Sequence, residues 1–143
     1  MGLFSFLKRK KPTLAQDIKT TSAWIIEAMN SSEYKVSMEL ESLKEVDRFF
    51  NEQMDDTTHT AKQGGLLSED LGQKMFALGA FIGEVLISAY GGEWITNDND
   101  KQGEMNITVK LANGAMLFPV QRVMKRYKEG PENDIYTYAV AAG

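Results

Sequence analysis

Cysteine is absent from the 143-residue sequence, and histidine occurs only once, as His59. Without cysteine, the chain has no disulfide framework, no thiolate nucleophile and no thiolate ligand for zinc or an iron–sulfur cluster. A single histidine also excludes the helical histidine pair of many zinc sites. We therefore expect no metal and no cofactor, and the lack of cysteine favours a reducing cytoplasm.

A long uninterrupted hydrophobic run is also missing. The most apolar stretch, residues 75–89, falls short of the roughly 18 residues that cross a membrane, and it contains Glu84. Gly79 and Gly83 lie four residues apart in it, but neither the preceding strand nor the Lys-Ser or Lys-Thr of a nucleotide-binding loop is present. The stretch is typical of a buried helix whose two glycines let a neighbouring backbone approach closely.

Positive charge is scarce outside one short segment. The chain has 16 basic and 20 acidic residues, and four of the basic residues fall within the first eleven positions. The remainder, with 12 basic and 20 acidic residues, has a formal net charge of -8. Because an acidic body repels phosphates, we expect no nucleic-acid partner.

Residues 1–12, MGLFSFLKRKKP, form a basic amphipathic segment that we call the head. Its apolar residues precede its cations, unlike a secretory signal, and Phe6 stands where N-myristoylation needs serine or threonine. One interpretation is a peripheral contact with the inner face of an anionic membrane. The other is a loosely held terminus whose apolar residues dock on the domain. The candidate membrane contacts are Leu3, Phe4, Phe6, Leu7, Lys8, Arg9, Lys10 and Lys11.

Residues 13–143 are predicted to form one domain that opens with two helices. Thr13 and Gln16 have the spacing of a capping box, which predicts a first helix ending near Asn30. Residues 34–40 alternate apolar and polar side chains, which is typical of a half-buried strand. Ser42 and Glu45 repeat the capping-box pattern and predict a second helix ending near residue 54.

A third helix is predicted from Ser68 to the residue before Gly91, which would end it. Its polar residues occupy one narrow arc, so it should be buried on more than one side. Residues 105–111 are a predicted strand, Asn113-Gly114 a hairpin turn, and residues 115–120 its partner strand. The last two predicted elements are a helix over residues 121–128 and a strand over residues 135–140.

These elements predict an α+β fold. Three main helices, the third buried and central, pack on a small antiparallel sheet that contains the Asn-Gly hairpin, and a short helix precedes the last strand.

Three acidic or imidazole side chains raise the alternative of an enzyme, namely Glu84, His59 and Asp98. Asp98, Asp100, Gln102 and Gly103 follow the spacing of an EF-hand loop, but position twelve is valine and the flanks are predicted strands. No G-x-S-x-G turn accompanies His59, which we expect to be an exposed loop residue. The catalytic alternative is therefore the weaker one.

A basic cluster, Arg122, Lys125, Arg126 and Lys128, lies on the fourth predicted helix. Its cations suit an acidic partner surface, although cations near a helix C-terminus also complement the dipole. Glu84 is predicted to form a salt bridge with one of them. The candidate interaction surface is Glu84, Trp94, Arg122, Lys125 and Arg126.

A series of motifs resembles small bacterial proteins that share a domain of unknown function. The motifs are LGAFIGEV, GGEW, a strand ending in FP, and KR before a glycine. The resemblance covers residues 34–138, including the helix ESLKEVDRFF, and implies a bacterial, cytoplasmic α+β domain without an attached enzyme activity. The matching residues are Leu78, Gly79, Gly83, Glu84, Gly91, Gly92, Trp94, Phe118, Pro119, Lys125, Arg126 and Gly130.

The small size, the acidic body and the lack of a complete catalytic constellation favour a non-catalytic protein-interaction module, accessory or immunity-like in character. Its expected partner is another protein. A peripheral membrane protein anchored by the head, and an enzyme using a carboxylate or His59, remain the alternatives.

Overall fold

The computed structural model describes residues 12–143, so the predicted membrane contacts in the head lie outside the described residues. Five α-helices and two small antiparallel sheets make up this part of the chain, which confirms the α+β class. The helices are α1 (Leu14–Ser31), α2 (Leu43–Gln53), α3 (Leu71–Tyr90), α4 (Pro119–Glu129) and α5 (Ile135–Ala142). The strands are β1 (Met54–Asp55), β2 (Thr60–Ala61), β3 (Gly92–Ile95), β4 (Thr108–Leu111) and β5 (Met116–Leu117).

The capping box at the start of α1 is confirmed. The Thr13 hydroxyl accepts a hydrogen bond from the Gln16 amide at 3.2 Å, and the Gln16 side chain accepts one from the Thr13 amide at 2.8 Å. Two otherwise unsatisfied amides at the helix start are thereby paired. The buried face of α1, which carries Ile18, Ile25 and Met29, packs on α3.

The predicted strand over residues 34–40 is wrong. This segment is irregular and ends in a 3-10 turn, Leu40–Ser42. Side chains take the place of a strand ladder: Asn30 accepts from the Val36 amide and donates to the Val36 carbonyl, both at 3.1 Å. The apolar alternation is therefore not that of a strand: Tyr34 and Val36 are buried, whereas Met38 is exposed.

The second capping box does not form, although α2 begins where it was predicted. The 3-10 turn runs directly into the helix, so Ser42 has helical dihedral angles, φ -62° and ψ -21°, and does not cap. Its hydroxyl instead accepts a hydrogen bond from the Ser37 amide at 2.7 Å, and Glu45 accepts one from the Lys35 amide at 3.0 Å. Both predicted capping side chains hold the preceding segment.

Helix α3 is the centre of the core, as predicted, but it begins at Leu71 and not after Ser68. Asp70 precedes it with a left-handed φ of 52°, and Gly91 ends it with a φ of 75°. Within residues 12–143, α3 alone is long and apolar enough to cross a membrane by length and composition, and 61% of that window is buried in the protein. The buried core helix of a domain meets the same criteria of length and composition.

The larger sheet has the order β3-β4-β5, with both pairs antiparallel. Asn113 and Gly114 form the turn between β4 and β5, with Gly114 at φ 91°. Trp94, Val109 and Leu117 occupy neighbouring register positions and face the helices. The partner strand is shorter than predicted because Pro119 already begins α4, where a missing amide hydrogen costs nothing.

The final predicted strand is also wrong, because residues 135–142 form helix α5. Asp134 caps it by accepting from the Thr137 amide at 3.0 Å. The first two amides of the helix, those of Ile135 and Tyr136, donate to the Asp47 carboxylate of α2 at 2.8 and 3.0 Å. A distant carboxylate thus stabilises a helix in a β-branched and aromatic segment. The short helix α4 consequently follows the last strand.

Gly79 and Gly83, two of the glycines in α3, permit two different close contacts. A Cβ on Gly79 would lie 2.8 Å from Cα and 2.9 Å from the backbone nitrogen of Val120 in α4. The predicted close backbone approach is therefore found at Gly79. At Gly83 the space is taken by the Trp94 ring, 2.0 Å from a built Cβ, so the prediction of a backbone neighbour is wrong there.

Gly79→Ala should lower the free energy of unfolding by about 1–3 kcal/mol, because the added methyl group overlaps the Val120 backbone. Gly72→Ala in the same helix is the matched control, since its Cβ meets nothing within 4 Å. That change should be neutral or stabilising by up to about 1 kcal/mol from helix propensity. Urea unfolding of both variants measures the difference, and equal effects would contradict the close approach at Gly79.

Candidate functional site

Glu84 joins three elements of the fold. Its Oε1 lies 2.6 Å from Lys19 Nζ of α1, and its Oε2 accepts a hydrogen bond from Trp94 Nε1 of β3 at 3.0 Å. The Glu84 side chain is 12% exposed. The predicted salt bridge to the basic cluster is therefore wrong, because both carboxylate oxygens serve other partners.

The basic cluster does not form a single surface. Arg126 is 2% exposed, and its Nη2 donates to Asn51 Oδ1 of α2 at 2.7 Å. Its Nε lies 3.4 Å from Asp47 Oδ1, and its guanidinium is 5.3 Å from the centre of the Phe50 ring. The prediction of Arg126 as an interaction residue is wrong, because its guanidinium is buried between α4 and α2.

The remaining members of the predicted surface have separate surroundings. The Arg122 guanidinium stacks over the Tyr138 ring at 4.5 Å. Lys125 and Lys128 are exposed beside an open depression that Gln121 and Met105 also line. Of the four cations, only the two lysines are exposed to solvent. The cluster therefore does not form the combined surface with Trp94 that the sequence indicates.

Asp47 connects three helices, and no sequence pattern singled it out. It pairs with Arg126 and accepts the two amide hydrogen bonds at the start of α5. Burial raises the pKa of its carboxyl above the ordinary value, and the hydrogen bonds from Ile135 and Tyr136 oppose that rise. The helical spacing could have predicted its burial, since Asp47 follows Leu43 by four residues and lies on the same apolar face of α2.

The acidic loop between β3 and β4 is structural. Asp98 Oδ1 accepts a hydrogen bond from the Leu14 amide at 2.8 Å and so holds the start of α1. Asp100 accepts from the Gln102 amide and the Asn106 side chain, both at 2.9 Å, and the Asn106 hydrogen bond lowers its pKa. Across residues 12–143 no group of three or more acidic or histidine side chains is placed to hold a metal ion.

The three residues of the enzyme alternative are not brought together. His59 is exposed, as predicted, in the turn between β1 and β2 with φ 57°. Glu84 is held by Lys19 and Trp94, and Asp98 by the Leu14 amide. His59 and Asp98 line different cavities, and Glu84 lines neither of the two.

Two cavities that share Trp24 lie along α1. The first, of about 420 Å³, is lined by Asp17, Thr20, Thr21, Trp24, Gln73, Phe76 and Glu104. The second, of about 220 Å³, is lined by Trp24, Ile25, Ala28, Met29, Ser32, Tyr34, Phe49, Leu66 and Lys74. Trp24, which is 48% exposed, belongs to both. We call this pair the Trp24 groove.

A third cavity, of about 640 Å³, continues the groove towards the start of α1. It shares Asp17 and Glu104 with the first cavity and also has Asp98 and Asp100 in its wall. We call this region the acidic end of the groove. Pro12, the first described residue, lines it as well.

The sequence reasoning missed the groove. Trp24 lies outside the buried face of α1, which carries Ile18, Ile25 and Met29. A tryptophan outside the apolar stripe of an amphipathic helix was the available signal. The opposite walls come from the start of α3 and the loop before β4, which no local pattern places beside α1.

The fold and groove define an α+β domain built around one buried helix, with an open aromatic groove on its helical face. The model of the family described as Domain of unknown function (DUF3806) matches residues 53–138. The chain therefore belongs to this family, which confirms the predicted membership in a family with a domain of unknown function. The match begins at residue 53, so residues 34–52 of the predicted resemblance lie outside it. Neither the curated proteins nor the solved structures include a match to the chain.

Arg126→Ala should lower the free energy of unfolding by about 3 kcal/mol or more, because it leaves the Asp47 carboxylate buried without its cation. The adjacent Lys125→Ala is the control and should change it by less than about 0.5 kcal/mol, since Lys125 is exposed. Chemical unfolding separates the two cases. Similar losses in both variants would contradict the buried position of Arg126.

The raised pKa of Asp47 predicts a pH dependence of stability. The folded chain keeps the Asp47 proton to a higher pH than the unfolded chain, whose carboxyl has the ordinary value of 3.8. The contribution of this group to the free energy of unfolding should therefore fall as pH rises from 3.8 through the folded pKa.

Asp47→Asn removes this titration, so urea unfolding of both proteins between about pH 3.5 and 6 isolates it. The stability of the wild type relative to the variant should decrease with rising pH. An increase over that window would show that the amide hydrogen bonds and Arg126 outweigh burial.

Proposed function

We propose that this protein is a non-catalytic interaction module that binds a segment of another protein in the Trp24 groove. The observation that carries the proposal is the half-exposed Trp24 side chain at the junction of two cavities. Tryptophan is enriched among the residues that contribute most to protein–protein binding, since it combines a large apolar area with few rotamers. An accessory or immunity-like role in a bacterial cytoplasm is part of this proposal.

The lining of the groove favours a particular kind of segment. The first cavity combines the Trp24 and Phe76 rings with the carboxylates of Asp17 and Glu104. In the second cavity, the Lys74 amine donates to the Leu66 carbonyl, so this cation is already engaged. A segment with apolar side chains next to cations matches the apolar floor and the acidic rim.

The groove replaces the surface that the sequence indicated around Trp94. Glu84 and Arg126 use their polar atoms within the fold, so neither is available to a partner without loss of internal contacts. Trp24 has no such constraint, because its indole N–H donates no hydrogen bond to another described residue and about half of its surface is exposed.

Trp24→Ala should remove binding of the partner without unfolding the chain. Affinity capture after chemical cross-linking identifies candidates, and titration of a purified candidate then gives the dissociation constant. Loss of a central tryptophan should weaken binding by about 30-fold or more. Met116→Ala is the matched control, because Met116 on β5 is also 48% exposed but lies away from the groove lining.

A partner that binds the wild type and Met116→Ala equally well and Trp24→Ala weakly would support the proposal. A partner that binds all three proteins alike would contradict it, as would a turnover activity that Trp24→Ala leaves intact and that requires no partner.

A further inference from the structure

The order of residues in the head matches the order of surfaces along α1. Read backwards from Pro12, the sequence has four consecutive cations, residues 8–11, and then the apolar residues Leu7, Phe6, Phe4 and Leu3. Read from the same proline, the surface presents first the acidic end and then the Trp24 groove. The two orders therefore correspond: the cations match the carboxylates, and the apolar side chains match the apolar walls.

The acidic end suits cations that directly precede a helix. Its lining includes four carboxylates, those of Asp17, Asp98, Asp100 and Glu104, against one ammonium group, Lys101. Positive charge at a helix N-terminus is opposed by the helix dipole, and nearby carboxylates offset that repulsion. Only Pro12 and Thr13 separate residues 8–11 from α1, so carboxylates beside the start of α1 are close in sequence to the charge that they would offset.

The distances along the chain also agree. From Pro12 to Trp24 the helix rises about 1.5 Å per residue, or roughly 18 Å in total. Extended chain covers about 3.3 Å per residue, so the six residues from Pro12 back to Phe6 span roughly 20 Å. An extended segment of this length that ran antiparallel to α1 would therefore reach Trp24 with Phe6, and Phe4 would lie towards the second cavity.

We propose that residues 1–11 dock in the Trp24 groove of their own chain and so compete with the partner for it. This inference rests on the proposed function for its regulatory meaning, because occupation of the groove is inhibitory only if a partner uses it. A tethered segment acts at a high effective concentration, so modest contacts hold it in place until a partner displaces it.

The lack of cysteine allows a direct test in the full chain. Phe6→Cys combined with Thr20→Cys places one thiol in the head and one in the groove, whereas Phe6→Cys with Thr57→Cys places the second on the β1–β2 turn. Both second positions are exposed threonines. With oxidised glutathione as oxidant, the intramolecular disulfide of the first pair should form at least about ten-fold faster than that of the second.

Two further variants identify the forces involved. Replacing residues 8–11 by serine in the Phe6→Cys and Thr20→Cys chain should slow disulfide formation several-fold, and so should Asp17→Asn together with Glu104→Gln. Equal rates for the two cysteine pairs would overturn the proposal. So would slow disulfide formation of the first pair in a chain whose head instead binds phosphatidylserine vesicles.

The test separates this inference from the proposed function. If the first pair oxidises no faster than the second while a partner still depends on Trp24, docking of the head fails and the interaction module stands. If the first pair oxidises fast and no partner depends on Trp24, docking stands and the proposed function fails.

Discussion

The close approach of other elements to α3 is the constraint on which the rest of the structure depends. Gly79 lets the backbone of α4 lie against the helix, and Gly83 accepts the Trp94 ring from β3. Because neither glycine has a side chain, α4 and the larger sheet both contact α3 closely, on adjacent turns of the helix. The third side of α3 packs against α1, so the position of the groove wall follows from this packing.

Charged residues join the elements that apolar packing brings together. Glu84 connects α3 with Lys19 of α1 and with Trp94, and Asp47 connects α2 with Arg126 of α4 and with the start of α5. Each carboxylate serves two partners at once, which is the condition under which a buried or half-buried charge is tolerated. These two residues therefore act in the architecture, whereas the groove proposed for partner binding lies beside α1.

The parts of the fold that local chemistry determines were predictable. Thr13 and Gln16 cap α1 through a box of four residues, and Gly91 and Gly130 end helices at positive φ. The two errors of element type lie where side chains from outside the segment decide, since Asn30 holds the backbone of Val36 and the distant Asp47 holds the start of α5. The groove was hidden for the same reason, because its walls meet only after α1, α3 and the loop before β4 have packed.

The two walls of the Trp24 groove differ in whether they fall within the matched family domain. Phe76, Gln73 and Glu104 lie within the matched family domain, residues 53–138, whereas Asp17, Thr20 and Trp24 lie on α1, which precedes it. One wall of the first cavity thus lies inside the matched range, and the other lies outside it. Under the proposed function, exchanging the outward residues of α1 alone would change what the groove binds and would leave the packing around α3 intact.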